Sequence, residues 1–395
     1  MASTADSCFA ASAATRPADG GHRRATEIRQ YELLCRLLAG RDEEQPADWD
    51  ANGLVRAAFE HQVHHLLLAE LRRRGSLAGC PKAVRDAFVA AERQAVLIEK
   101  VRAIELGRVL QALTDKGVAS LIFKGTSVAN THYERPHLRP RHDVDLFIRR
   151  ADVAAGHRTL QSLGFVRTNL ITGEWVMPQF EYRRRYPAGL EHVFDVHWRL
   201  SNPIVFRTLL SFEDLWKSAV AIPALGEHAR GPSDVHALFI ACVHRVAHHN
   251  DSPRLIWLYD IHLIASGLST AEWKEFEALA ARTATRAVCQ RGLALAAGRF
   301  GTPLPQSFVE GLGEPSGEPS AAFLGGRTGE LKIQLSNWRA LKTWSQRKQL
   351  LAEHLFPAAS YVMAKYRVNR RAWLPALYLH RIGRGGLRWL RRPQA

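Results

Sequence analysis

Apolar positions recur at helical spacing from residue 28 to about 116, as in Leu33, Leu34, Leu37 and Leu38 and again in Leu106, Val109, Leu110 and Leu113. Gly79 and Pro81 mark a break before a long helical stretch. The pattern then shortens. Ser120–Phe123 is an apolar strand candidate that runs into Lys124-Gly125-Thr126-Ser127. Residues 143–148 alternate, with Val144, Leu146 and Ile148 on one face and Asp143, Asp145 and Phe147 on the other. A helix over about 151–163, stopped by Gly164, precedes strands over 165–168, 181–186 and 192–200. Pro187-Ala188-Gly189 predicts a hairpin turn between the last two. From about residue 207 helical spacing returns: Val235, Leu238, Phe239, Cys242 and Val246 form one stripe, and helices follow over 255–266, 270–281 and about 285–300. No internal repeat is visible.

These elements predict an α/β (α+β) protein. A small mixed-sheet core over 117–206 lies between helical regions at 26–116 and 207–310. Residues 1–25 read as a disordered lead, 311–326 as a Gly/Pro/Ser-rich linker and 327–395 as a basic helical region.

Composition narrows the class. At 395 residues with 46% apolar and 23% charged residues, the chain has the make-up of a globular protein of one or two domains. No apolar run approaches the roughly 20 residues of a membrane span, and no secretory signal is readable. Five scattered cysteines, with no CxxC pair, point away from a disulfide framework or structural zinc. A cytoplasmic location is the expectation. The net charge of +16 suggests a polyanionic partner. However, nine Lys/Arg and no Asp/Glu follow Glu353, so more than half of that excess belongs to the tail.

The chemistry gathers in the core. Side chains at i and i+2 of a strand leave the same face about 7 Å apart. Asp143 and Asp145 would therefore repel unless a cation sits between them. Two hard oxygen ligands on a rigid strand suit Mg²⁺, with Mn²⁺ as a second possibility. Asp195 lies in another alternating strand and shares a face with His197, which would then line the site. If that strand neighbours the first, three carboxylates converge, as for in-line nucleotidyl transfer with two metals. Gly125, Thr126 and Ser127 open a helix where backbone N–H groups can meet phosphates, and Lys124 adds a charge. Arg139 and Arg141 could reach phosphate oxygens or be ordinary solvated loop arginines.

The run FKGTS…LRPRHDVDLFI…FDVHWRL resembles the DNA polymerase beta-like nucleotidyltransferase superfamily and, more narrowly, a bacterial group of uncharacterised nucleotidyltransferases. The matching residues are Lys124-Gly125, Arg139-Pro140, Asp143/Asp145 and Asp195/His197/Trp198, and the likeness extends over about residues 30–305. The resemblance implies that Asp143 and Asp145 bind metals bridging an NTP triphosphate. It also implies that Asp195 completes the metal site and helps deprotonate the acceptor. The expected function is transfer of a nucleoside monophosphate to an acceptor hydroxyl or phosphate, with pyrophosphate released. The alternative is a non-catalytic nucleotide- or polyanion-binding protein with a degenerate site.

Two features stand apart. His244 and His248 are four residues apart on a helix, the spacing of metal ligands, but HRVAH lacks the glutamate of the HExxH pattern. They point away from the apolar stripe, toward solvent or a cleft, and read as a polar face or as contacts to acceptor or nucleotide. The basic tail interleaves Trp373, Tyr378, Trp389 and Leu390 with arginines, which suits nucleic acid, an anionic membrane or packing on the protein body. Pro375 and the glycines at 383, 385 and 386 predict that no long amphipathic helix forms there.

Overall fold

The computed structural model of the chain describes residues 20–41, 50–168, 173–186, 189–306, 308, 317–325 and 330–391. Most of the expected lead, the turn residues Pro187 and Ala188, and part of the expected linker lie outside them.

Helices α1 (Gly20–Leu38), α2 (Ala51–Glu60), α3 (His64–Arg73) and α4 (Lys82–Asp115) precede the sheet. Helix α1 thus begins inside the stretch read as the lead. Asp50 caps α2 by accepting from the Gly53 N–H. Strand β1 (Ser120–Phe123) runs directly into α5 (Lys124–Thr131). After β2 (Val144–Ile148) come α6 (Val153–Ser162), β3 (Val166–Arg167), β4 (Gln179–Arg185) and β5 (Glu191–His197). Gly164, at φ +85°, ends α6 in a conformation that disfavours side chains.

The five strands lie in the order β1-β2-β5-β4-β3. β5 is parallel to β2, and the remaining pairings are antiparallel. The sheet is mixed, as the sequence predicts. Its alternation separates two cores. Ile122, Val144, Leu146, Ile148, Phe194 and Val196 pack with Leu106, Val109 and Leu113 of α4 and Leu160 of α6. Leu121, Phe123 and Phe147 face the other way, into the core built by the helical regions. All five residues of β2 are buried, so both faces of this strand are covered.

The second helical region holds α7 (Ile204–Arg207), α8 (Phe212–Lys217) and a two-stranded ribbon of β6 (Val220–Ala221) and β7 (Arg230–Gly231). It continues with α9 (Asp234–Ala247), α10 (Leu255–Gly267), α11 (Thr270–Arg282) and α12 (Arg286–Phe300). The predicted stripe of α9 is buried throughout. A Ser269/Glu272 capping box starts α11. Within the expected linker, the described residues 317–325 are docked on the body. Glu318 accepts from the N–H groups of Arg286 and Ala287 at the start of α12, and the Ser320 hydroxyl donates to the Ala284 carbonyl. Unmet N–H groups at the start of α12 attract that carboxylate.

The tail forms α13 (Glu330–Ala340), α14 (Trp344–Leu355), α15 (Ala359–Tyr366) and α16 (Leu374–Arg391). The expectation that Pro375 and the glycines prevent a long helix is wrong. α16 is continuous because Pro375 sits in its first turn, where no intrahelical N–H bond is lost. Each glycine costs about 1 kcal/mol against alanine, which weakens a helix without breaking it. Among the described residues no helix is long and apolar enough to cross a membrane.

Candidate active site

The site is built on the β2–β5 pairing. Asp145 and Asp195 are register partners on these parallel strands, and Phe147 stands opposite His197. Asp145, Asp195 and His197 therefore leave the same sheet face, and one ligand atom from each lies within 4.8 Å of the others. Asp143 precedes β2, is half-buried and lies outside that trio. The convergence anticipated for three carboxylates is met by two carboxylates and an imidazole. Here Asp143 contributes charge from just before the strand.

Lys124 closes the cluster. It holds φ +53°, a left-handed conformation that costs a non-glycine residue about 1–2 kcal/mol. From that position its Nζ donates to Asp145 Oδ1 at 2.7 Å and lies 3.3 Å from His197 Nε2. His197 Nε2 is also 3.0 Å from Asp145 Oδ1. One ring nitrogen cannot both donate to the carboxylate and accept from the ammonium, so one of these contacts is unmade in either tautomer. His197 Nδ1 and Asp195 Oδ1 are buried without a hydrogen-bond partner. Gln179 donates to Asp195 Oδ2 at 3.4 Å.

The electrostatics follow. Burial pushes the Asp195 carboxyl up to about 7, and the charges of Asp145 and Asp143 push in the same direction. Burial and Asp145 also raise Asp143. Burial would raise Asp145 too, but Lys124 and His197 outweigh it and hold this carboxyl far below its usual range. Burial and the Lys124 charge press His197 down to about 4. The cluster thus holds a fixed anion, a neutral imidazole and a carboxyl that changes charge near neutrality. Buried atoms without partners beside converging carboxylates fit a divalent cation. The donor set mixes two carboxylates with an imidazole, a softer ligand than the all-oxygen shell that Mg²⁺ takes.

The expected phosphate-binding residues have other employment. Arg139 is buried and grips Asp260 through Nε and Nη2 at 2.6–3.1 Å, and Tyr133 donates to the same carboxylate at 2.8 Å. A Cβ on Gly125 would lie 2.4 Å from Arg139 Nη1, so the close approach that requires glycine is made by this guanidinium. Arg141 is held by Glu99 at 2.5 Å, by the Thr126 hydroxyl and by the carbonyls of Pro136 and Arg139. Neither arginine is a solvated loop residue. Thr126 and Ser127 are buried, and Ser127 packs against Gly231 of β7. Lys124 is turned to Asp145, not outward. The loop is braced from within, which fixes the N-terminus of α5 relative to β2.

His244 and His248 occupy the cleft alternative. His248 Nε2 is 2.9 Å from the Ser201 hydroxyl. His244 lines a small pocket with Lys124, Gly125, Arg139, Trp257 and Asp260. Their rings are 5.0 Å apart, and His249 stacks on Trp257 at 3.7 Å. Burial, reinforced by the Lys124 charge, drives both His244 and His248 well below the usual imidazole value. Sequence reasoning missed Asp260 as the anchor of Arg139. A lone carboxylate inside the apolar run Leu255–Gly267 is the available signal, because a buried charge requires a partner. Glu99, on an otherwise amphipathic helix, carries no such mark.

A family model for uncharacterised nucleotidyltransferases matches residues 45–301. The chain belongs to this family. The match takes in α2 to α12 and therefore the whole sheet and cluster. A comparison with curated proteins finds no match. Nucleotidyl transfer is thus the family's general activity.

Proposed function

We propose that the protein transfers a nucleoside monophosphate from an NTP to an acceptor hydroxyl or phosphate, with a divalent cation held at Asp145, Asp195 and His197. The observation that carries this reading is the meeting of those three side chains across β2 and β5. When bound, the cation, Mg²⁺ or Mn²⁺, supplies charge neutralisation at the triphosphate, and Asp143 would serve a second ion in a two-metal arrangement.

The residues' own work follows from their charge. Asp145, held ionised, is the permanent anion of the site. Asp195, beside the acceptor, would help take the proton of the attacking hydroxyl. The acceptor oxygen bonds to the α-phosphorus as the bond to the β-bridging oxygen breaks, and pyrophosphate departs with the electron pair. With a cation held at Asp145, Lys124 would be free to neutralise developing negative charge. The braced α5 N-terminus holds its N–H groups in place for phosphate oxygens.

The non-catalytic reading has one observation in its favour: the Lys124 ammonium already sits on Asp145. Variants separate the two. Asp145→Asn and Asp195→Asn each lower pyrophosphate release from labelled NTP at least 100-fold while the fold persists by circular dichroism. Undiminished release in both would overturn the assignment of the site.

A further inference from the structure

An open cavity of about 320 Å³ lies between the sheet core and the tail helices. That volume is in the range of small-ligand pockets. One wall carries Trp175 and Val176, just before β4, and Asn202 and Ile204, just after β5. The other carries Gln334 and Asn337 of α13 and Leu350 and His354 of α14, and Ala247 and His248 complete the lining. Among the described lining residues there is no Asp, Glu, Lys or Arg.

The walls are tied together. Glu353 of α14 accepts from the backbone N–H groups of Glu174, Trp175 and Val176 at 2.7–3.2 Å. A Cβ on Gly173 would strike that carboxylate at 2.4 Å, so the loop is shaped around it. Asn337 accepts from the Ile204 N–H at 2.8 Å, and Ile204 packs with Leu341, Leu350 and Trp338. The charged groups behind the wall are consumed by these and similar bonds: Arg207 donates to the carbonyls of Glu174 and Asn202.

The cavity adjoins the cluster. His248 bonds to Ser201, four residues after His197, and feels the charges of Lys124 and Asp145. Gln179, which donates to Asp195, follows Val176 by three residues. Two lining residues also hold unsatisfied polar atoms. The Trp175 indole N–H and the Asn202 side-chain oxygen are buried without partners.

We propose that this cavity is the acceptor subsite and takes an uncharged, hydroxyl-rich small molecule with an apolar face, of the carbohydrate or polyol type. The inference rests on the nucleotidyltransferase reading of the neighbouring cluster. Neutral amides and imidazoles hydrogen-bond hydroxyls. Trp175, Ile204 and Leu350 receive the apolar face. A nucleic-acid acceptor or a phosphorylated one would need Lys or Arg along its path, and the described lining residues offer neither.

The test uses ligand-observed NMR on the full chain with three neutral probes, glucose, N-acetylglucosamine and myo-inositol. Their monophosphates and a hexaribonucleotide are run alongside. At least one neutral probe makes saturation-transfer contacts, its phosphate binds at least 10-fold more weakly, and Ala247→Trp, which fills the space beside His248, abolishes the contact. Gln334→Trp plugs the opposite wall and stands in if the first variant melts early. Thermal shift with Mg²⁺ and ATP is read on the same samples and remains as in wild type for the plugged variants. Contacts that survive plugging, stronger binding of the phosphates or RNA, or no binding by any neutral probe overturn the proposal. Absence of the ATP shift in wild type, with neutral binding intact, would instead remove the nucleotide reading and leave a neutral-ligand site.

Discussion

Asp195 is the residue whose chemistry was least visible in the chain. Its place on an alternating strand follows from the sequence, but its charge state depends on Asp145 lying opposite it, which only the strand pairing reveals. Its carboxyl is raised to about 7 in the fold, so the stability it contributes is full below about pH 4 and is lost as pH rises through 7. Asp145 is depressed, so its contribution has the opposite course, present above the ordinary carboxylate range and lost in acid. In the metal-free protein, Asp195→Asn should therefore be more stable than wild type at pH 8, with the gap closing toward pH 4. A carboxyl moved from 3.8 to about 7 carries on the order of 4 kcal/mol at full effect. Urea denaturation across that pH range measures it, and an equal gap at both ends would contradict the account.

At the scale of elements, α5 shows how a legible motif acquires a different physical cause. Lys124-Gly125-Thr126-Ser127 predicts a strand turning into a helix, and β1 and α5 meet at Lys124. The glycine, however, makes room for Arg139, and Arg139 is fixed by Asp260, 121 residues away in the chain. No local pattern encodes a pairing at that separation. Removing the carboxylate with Asp260→Ala would strand a buried guanidinium and cost about 3–5 kcal/mol. The same change should also lower transfer, by releasing the brace on α5. A loss below about 1 kcal/mol in chemical denaturation would show that the pair does not hold this corner. α16 teaches a related lesson: Pro375 and three glycines read as breakers, yet position in the first turn and neighbouring good helix formers outweigh them.

Over the whole molecule, the sheet and its flanking helices were legible because both periods were regular and each face had one environment. The strand order was not legible, since β2 pairs with β5 across two intervening strands. Nor was the cavity under α13 and α14, whose walls come from loops and helices far apart in sequence. The +16 charge changes its meaning accordingly. The tail that carries much of it helps to enclose a cavity whose described lining holds no Lys or Arg, while Asp145 and Asp195 meet across the sheet. Nucleotidyl transfer at the β2–β5 site is checked with ATP labelled at the α- or the γ-phosphate. With a divalent cation and acceptor, the account predicts that α-label passes to the acceptor and γ-label leaves as pyrophosphate. Transfer of the γ-label to the acceptor, or release of label only as inorganic phosphate, would contradict it.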